Sequence, residues 1–311
     1  MHGMRATAGA LVGHPRGILA LDAGPDGPDE RAFRQLVVTI PGLPEYVSGL
    51  VLPAAALRRG PDRPWADAGI LPGVRADPGR IPLPGAPGET VVGGTDDLPA
   101  RMAEHAGAGA RFVSCRARTV AGASTWSIRS NANVLARYAR AAQDAGLVPL
   151  LHCGIARDGG HPADAAATTL AALLTRLAGE LDDAGVDPRA TVLGPGAALP
   201  GTGSGQPVDP AGHGALTREV LRCVVPPEFA GVALHTGSVR PDDGAGLLAA
   251  AQAPDLRWPL TFCTGRSLTG PAARTLRRPG GSPQRAQAEL RHGLGRASGA
   301  LRPVRPRLRI A

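Results

Sequence analysis

Ten residues near the ends of short apolar runs are of types that bind anions or move protons: Asp22, Arg75, Asp77, Ser114, Arg116, His152, Cys153, Thr236, Cys263 and Arg266. Two of those runs turn into glycine-bearing segments, His235-Thr236-Gly237-Ser238 and Thr264-Gly265-Arg266. Such turns expose backbone amides with little side-chain obstruction. With a hydroxyl and a guanidinium alongside, that is the chemistry of a phosphate cradle. The same glycines would also serve merely to turn the chain, and the cation at Arg266 tips the reading towards phosphate. His152, Cys153, His235 and Cys263 are reactive types, but strand alternation turns His152 inward and Cys153 away, which spoils a simple four-ligand metal site. A lone cysteine or histidine in an apolar run is more often packed core. No metal and no cofactor are expected. All 34 basic residues other than histidine are arginine, because the chain contains no lysine. Chemistry that needs a lysine amine is therefore closed.

The elements that must position these residues alternate along the chain. Strand-like runs lie at 16–24, 46–53, 71–79, 110–117, 147–154, 190–196, 231–238 and 259–266. Amphipathic stretches separate them, among them DDLPARMAEHAG, NANVLARYARAAQDAG, ADAAATTLAALLTRLAGELDDAG, HGALTREVLRCVV and GAGLLAAAQ, with AQAELRHGLGRASGAL closing the series. Eight βα repeats over 311 residues fit a closed (β/α)8 TIM barrel in a single α/β domain better than an open doubly wound sheet. No GxGxxG follows the first strand, which weakens the open sheet further. In a barrel the functional groups gather at the C-terminal strand ends, and the loops after strands seven and eight are the recurrent phosphate site. Both cradle segments fall there.

Composition bounds the rest. With 43% hydrophobic residues, 3% aromatic, Gly 43 and Pro 31, the core must come from Ala, Leu and Val with many tight turns. No run reaches the ~18 apolar residues of a membrane span, and the first residues lack the regions of a signal peptide, so a cytoplasmic protein is expected. Cys115, Cys153, Cys223 and Cys263 are far apart and are expected as free thiols. The net charge of +8 suits an acidic partner, but the arginines are scattered. Their one dense cluster, Arg302, Arg305, Arg307 and Arg309, sits in a proline-broken tail read as solvated rather than as a nucleic-acid arm. Three segments are expected: an N-terminal extension at 1–11, the barrel at 12–301 and the Arg/Pro-rich tail at 302–311.

The segments RGILALDAG, FRQLVVT, GVRADPGRIPLPGAPGET, SNANVLARYARAAQDAGLVPLL, VPPEFAGVALHTGS and PLTFCTGRSL, in this order from roughly residue 12 to 300, resemble the class I (Schiff-base) fructose-bisphosphate aldolases. The resemblance implies the same (β/α)8 fold and usually a homotetramer. Taken position by position, it implies a binding site partly kept and a catalytic site dismantled. Asp22 matches the family's catalytic aspartate, but Ala23 and Gly24 replace the Glu and Ser that follow. Arg75 stands for a phosphate-binding lysine, with the acid at Asp77 retained. Ser114 stands where the family has a catalytic lysine, and Arg116 is retained. His152 and Gly154 replace two glutamates, the first the general acid and base. Gly194 occupies the place of the Schiff-base lysine. Thr236, Gly237, Gly265 and Arg266 match the one-phosphate site.

The implied function is binding of a sugar phosphate or triose phosphate without imine-based aldol cleavage, with no nucleic-acid or membrane partner. Cleavage of this class passes through an iminium that only a primary amine forms. Arginine is no substitute, since its guanidinium stays protonated. The alternatives are a lyase or related enzyme with chemistry rebuilt at the barrel mouth, where His152 would act, and residual fructose-bisphosphate aldolase activity in glycolysis.

Overall fold

The computed structural model describes residues 2–22, 28–58, 68–236 and 239–302. Its strands, in chain order, are β1 (Gly17–Ala20), β2 (Val47–Leu52), β3 (Leu71–Arg75), β4 (Arg80–Pro82), β5 (Thr90–Val92), β6 (Phe112–Thr119), β7 (Val148–Ile155), β8 (Val192–Pro195), β9 (Gly231–His235) and β10 (Leu260–Thr264). Eight of them pair in parallel as a closed barrel in the order β1-β10-β9-β8-β7-β6-β3-β2. Each barrel strand coincides with one of the eight runs expected from the sequence; six lie wholly inside, while β6 runs on to Thr119 and β7 to Ile155, two and one residues past the expected ends. The antiparallel hairpin β4–β5 is an addition that the sequence reading did not contain.

The helices are α1 (His2–Leu11), α2 (Pro28–Val38), α3 (Leu43–Tyr46), α4 (Ala54–Arg58), α5 (Leu98–Gly107), α6 (Thr125–Asp144), α7 (Ala163–Asp183), α8 (Pro210–Val224), α9 (Pro241–Ala251), α10 (Arg266–Arg277) and α11 (Pro283–Ala300). Local chemistry fixes where several begin. Ser124 accepts a hydrogen bond from the Ser127 amide at 3.1 Å and starts α6, and Asp209 accepts from Ala211 at 3.1 Å and starts α8. On α7 the buried Leu170, Leu173, Leu174, Leu177 and Leu181 follow the three-to-four-residue spacing that turns one stripe onto the sheet. None of the described helices is long and apolar enough to cross a membrane.

Two apolar layers result. The larger lies between strands and helices and takes the outward residues, such as Leu151 and Cys153 of β7. The smaller fills the barrel with Ile18, Val51, Phe112, Leu150, Val192 and Ala233, and α1 closes the bottom with Met4, Ala8 and Leu11. The stretch expected as an N-terminal extension is thus a helix packed on the barrel floor, tied by Ser48, whose hydroxyl donates to the Leu11 carbonyl at 2.6 Å. The Phe112 ring needs room that Gly73 supplies, since a Cβ there would lie 2.3 Å from a ring carbon.

Candidate functional site

At the C-terminal end of the barrel the strand register brings most of the anticipated residues together. Arg75 stands opposite Ser114, Arg116 opposite His152, His152 opposite Gly194, and Cys263 opposite His235. Asp22, just past β1, is buried and accepts a hydrogen bond from the Arg116 guanidinium. Asp77 is buried as well: its carboxylate accepts from Arg75 Nε at 3.1 Å and Nη2 at 2.8 Å, and from the Arg116 amide at 3.1 Å. Arg101 braces this loop from outside, donating to the Ala76 carbonyl at 2.8 Å. The mouth is therefore held by alternating carboxylates and guanidinia, each buried anion matched by a cation.

His152 fills the middle. A Cβ at residue 194 would lie 2.5 Å from His152 Nδ1, so the imidazole occupies the volume that any side chain at 194 would need. Its ring meets His235 edge-on, with centroids 5.6 Å apart. Burial, then the neighbouring His235 and Arg116 charges, push His152 well below the usual imidazole pKa. Burial and Arg116 lower His235 to about 4. Both rings are neutral at pH 7. Burial raises the Cys153 and Cys263 thiols to about 12, so neither is a thiolate nucleophile at neutral pH. Cys153 faces the helices, as alternation requires. Three buried polar atoms in this cluster have no hydrogen-bond partner: Asp22 Oδ1, Arg116 Nε and His152 Nδ1. Among the described residues no three His, Cys, Asp or Glu side chains converge as a metal ion would need.

The cradle residues stand beside this cluster. The Thr236 amide donates to the Cys263 carbonyl at 3.3 Å, which holds the ends of β9 and β10 together. Gly265 is the N-cap of α10, with no side chain capping the first turn, and Arg266 is its first residue. Gly237 lies outside the described residues. Gly154, two residues past His152 on β7, stands opposite Arg118 and brings no side chain to the cluster.

The exposed Arg266 lines a cleft of about 510 Å³ together with Arg157, Arg240 and Arg274. On its other side it lines a smaller cavity of about 210 Å³ with Arg34 and Arg277. Sequence reasoning missed Arg157, Arg240 and Arg274. They are far apart in the chain, and nothing in their local sequence marks them off from the other arginines.

The sequence matches the family model described as fructose-bisphosphate aldolase class-I over residues 18–300. It is 34% identical over 286 residues to a probable fructose-bisphosphate aldolase class 1 of Xylella fastidiosa, covering 84% of this chain and 86% of that one. It is 32% identical over 307 residues to the chloroplastic fructose-bisphosphate aldolase 1 of Chlamydomonas reinhardtii, covering 91% and 81%. Among solved structures, the fructose-bisphosphate aldolase of Plasmodium falciparum, in a ternary complex with TRAP and a small-molecule inhibitor, superposes with a TM-score of 0.90 at 26% identity, over 96% of this chain and 94% of that one.

Proposed function

The chain belongs to the class I fructose-bisphosphate aldolase family, and from that premise we propose that it binds a phosphorylated sugar or triose non-covalently and performs no Schiff-base aldol cleavage. The observation that carries this reading is a pairing. Thr236, Gly265 and Arg266 stand at the adjoining ends of β9 and β10, where a barrel of this kind binds phosphate. Yet no side chain in the sequence offers a primary amine. On this reading Gly194 takes the place of the imine-forming lysine and Ser114 that of a second lysine, while Asp22, Arg75 and Arg116 remain as polar walls for the ligand. His152 closes the vacated volume. Losing nucleophile and proton-transfer groups that act as a unit removes catalysis by orders of magnitude, whereas in the cradle the resemblance implies one change alone, Thr236 for a serine, which adds a methyl and keeps the hydroxyl. Assembly as a homotetramer and a cytoplasmic setting belong to the same proposal.

Calorimetric titration with dihydroxyacetone phosphate and fructose 1,6-bisphosphate tests the binding. We expect saturable binding that Arg266→Ala abolishes, and no heat even at millimolar ligand would remove the reading. Sodium borohydride added with substrate should leave the intact mass unchanged. A trapped adduct, or turnover at the ~1–10³ s⁻¹ of ordinary enzymes in a coupled aldolase assay, would overturn the mechanistic half.

A second reading is favoured by the neutral His152 and His235 rings beside the Asp22–Arg116 pair: a lyase or isomerase in which imidazole moves the proton. Under it, the wild-type protein converts a triose or sugar phosphate and His235→Gln does not. Absence of any conversion by the wild type eliminates this alternative.

A further inference from the structure

We propose that the 510 Å³ cleft beside the cradle is a diphosphate site, which takes an organic diphosphate in preference to a monophosphate. The inference rests on the phosphate reading above only through Arg266, which the cradle and the cleft share.

Charge is the first argument. Arg157 follows β7, Arg240 precedes α9, and Arg266 and Arg274 lie on α10, so four guanidinia from three segments face one space, with Asp243 as the lining carboxylate. A phosphate monoester brings about −1.5 to −2 charges, less than this excess of cations. A second phosphoryl group makes up the difference and gives the planar guanidinia further oxygens to hold.

Pairing is the second argument. Some exposed arginines find carboxylates, Arg58 with Glu104 at 2.6 Å, Arg222 with Asp255 at 2.6 Å and Arg296 with Asp242 at 2.6 Å, whereas others outside the cleft, such as Arg137 and Arg291, are in no ion pair among the described residues. The Arg296 pair draws the carboxylate next to Asp243 away to α11. Among the described residues none of Arg240, Arg266 and Arg274 is in an ion pair. Arg157 is held at the rim, its Nε donating to the Pro200 carbonyl at 3.0 Å, and burial lowers its pKa, so an anion arriving there is met by a partly desolvated cation.

Size and lining are the third argument. The volume lies in the range of small-molecule sites, well beyond what one phosphate fills. Val208, Val239, Pro241 and Pro271 give the cleft an apolar wall, which suits the carbon part of an ester and would be idle against inorganic phosphate.

Calorimetry on the full chain with orthophosphate, AMP, ADP, UDP and geranyl diphosphate tests this, alongside dihydroxyacetone phosphate as the cradle probe. We expect at least one organic diphosphate to bind about tenfold or more tighter than AMP and orthophosphate, the scale of one or two charge-assisted hydrogen bonds. The double variant Arg240→Ala/Arg274→Ala, checked for native circular dichroism, should erase that preference and keep the affinity for dihydroxyacetone phosphate. Which diphosphate binds best identifies the organic half. Equal affinity for mono- and diphosphates, or a preference that survives in the double variant, overturns the inference. Diphosphate binding without triose phosphate binding would leave this proposal standing and remove the triose phosphate form of the reading above.

Discussion

Near the end of the barrel closed by α1, the inward residues are Ile18, Phe112, Leu150, Val192 and Ala233; two residues further along the same strands stand Ala20, Ser114, His152, Gly194 and His235. One step of the pleat thus separates an apolar plug from a polar mouth. The plug gains from burial and close packing, with no polar side chain to satisfy. The mouth keeps buried charges in matched pairs and leaves Asp22 Oδ1, Arg116 Nε and His152 Nδ1 without partners. Unsatisfied buried polar atoms cost stability, so the mouth is held by the plug beneath it rather than the reverse. Stability and function are segregated by height in the barrel.

The sharpest way to break this contrast is to empty the plug. Phe112→Ala removes a fully buried ring between Gly49 and Gly73, and urea unfolding should show a loss of about 3–5 kcal/mol. A loss under about 1 kcal/mol would mean the barrel floor is not the anchor. Next in size is Arg116→Met, which strands the Asp22 carboxylate, only 2% exposed, without its cation. We expect about 3 kcal/mol of destabilisation, most of it recovered when Asp22→Leu is added. A double variant no better than the single would show that the pair is not a unit.

Gly194→Ala should cost about 1–3 kcal/mol, because the new methyl meets the His152 ring, and adding His152→Ala should relieve most of that loss. If the two changes simply add, the imidazole does not own that space. The smallest effect is on the pH profile. His235, at about 4 in the fold against 6.5 for an unperturbed histidine, is neutral in the native state where the unfolded chain is already protonated. Its share of stability is complete above about pH 6.5 and is lost as pH falls towards 4, by about 2 kcal/mol given its partial contact with solvent. His152 acts in the same direction. Phe112→Ala should lower the whole curve and keep this acid limb, whereas His152→Leu/His235→Leu should flatten it.

Much of the barrel was legible because its signals are local. Each barrel strand is a short apolar run, and the period change between run and amphipathic stretch marks every repeat. The helix over 2–11 and the β4–β5 hairpin were not read. The first is amphipathic only in relation to a barrel floor that the sequence does not display, and the second is too short and too exposed to carry a pattern. In the site, Asp22, Arg75, Arg116, His152, Thr236 and Arg266 were legible as strand-end polar residues. Their pairing was not: Arg116 reaches Asp22 across 94 residues of chain, a choice made by the curl of the barrel. The arginine cleft was invisible for the same reason.

By itself, the sequence determined that no lysine amine exists, that eight βα repeats follow one another along the chain, and that a glycine-hydroxyl-arginine pattern ends the last two strands. These follow from residue type and from short-range periodicity, which need no knowledge of distant neighbours. Only the tertiary structure decided that the His152 ring fills the space above Gly194, that Asp22 and Asp77 each hold a different arginine, and that Arg157, Arg240, Arg266 and Arg274 face one cleft. Volume exclusion and charge pairing act between groups in contact, and contact across a closed barrel is set by strand register and curvature, not by order along the chain.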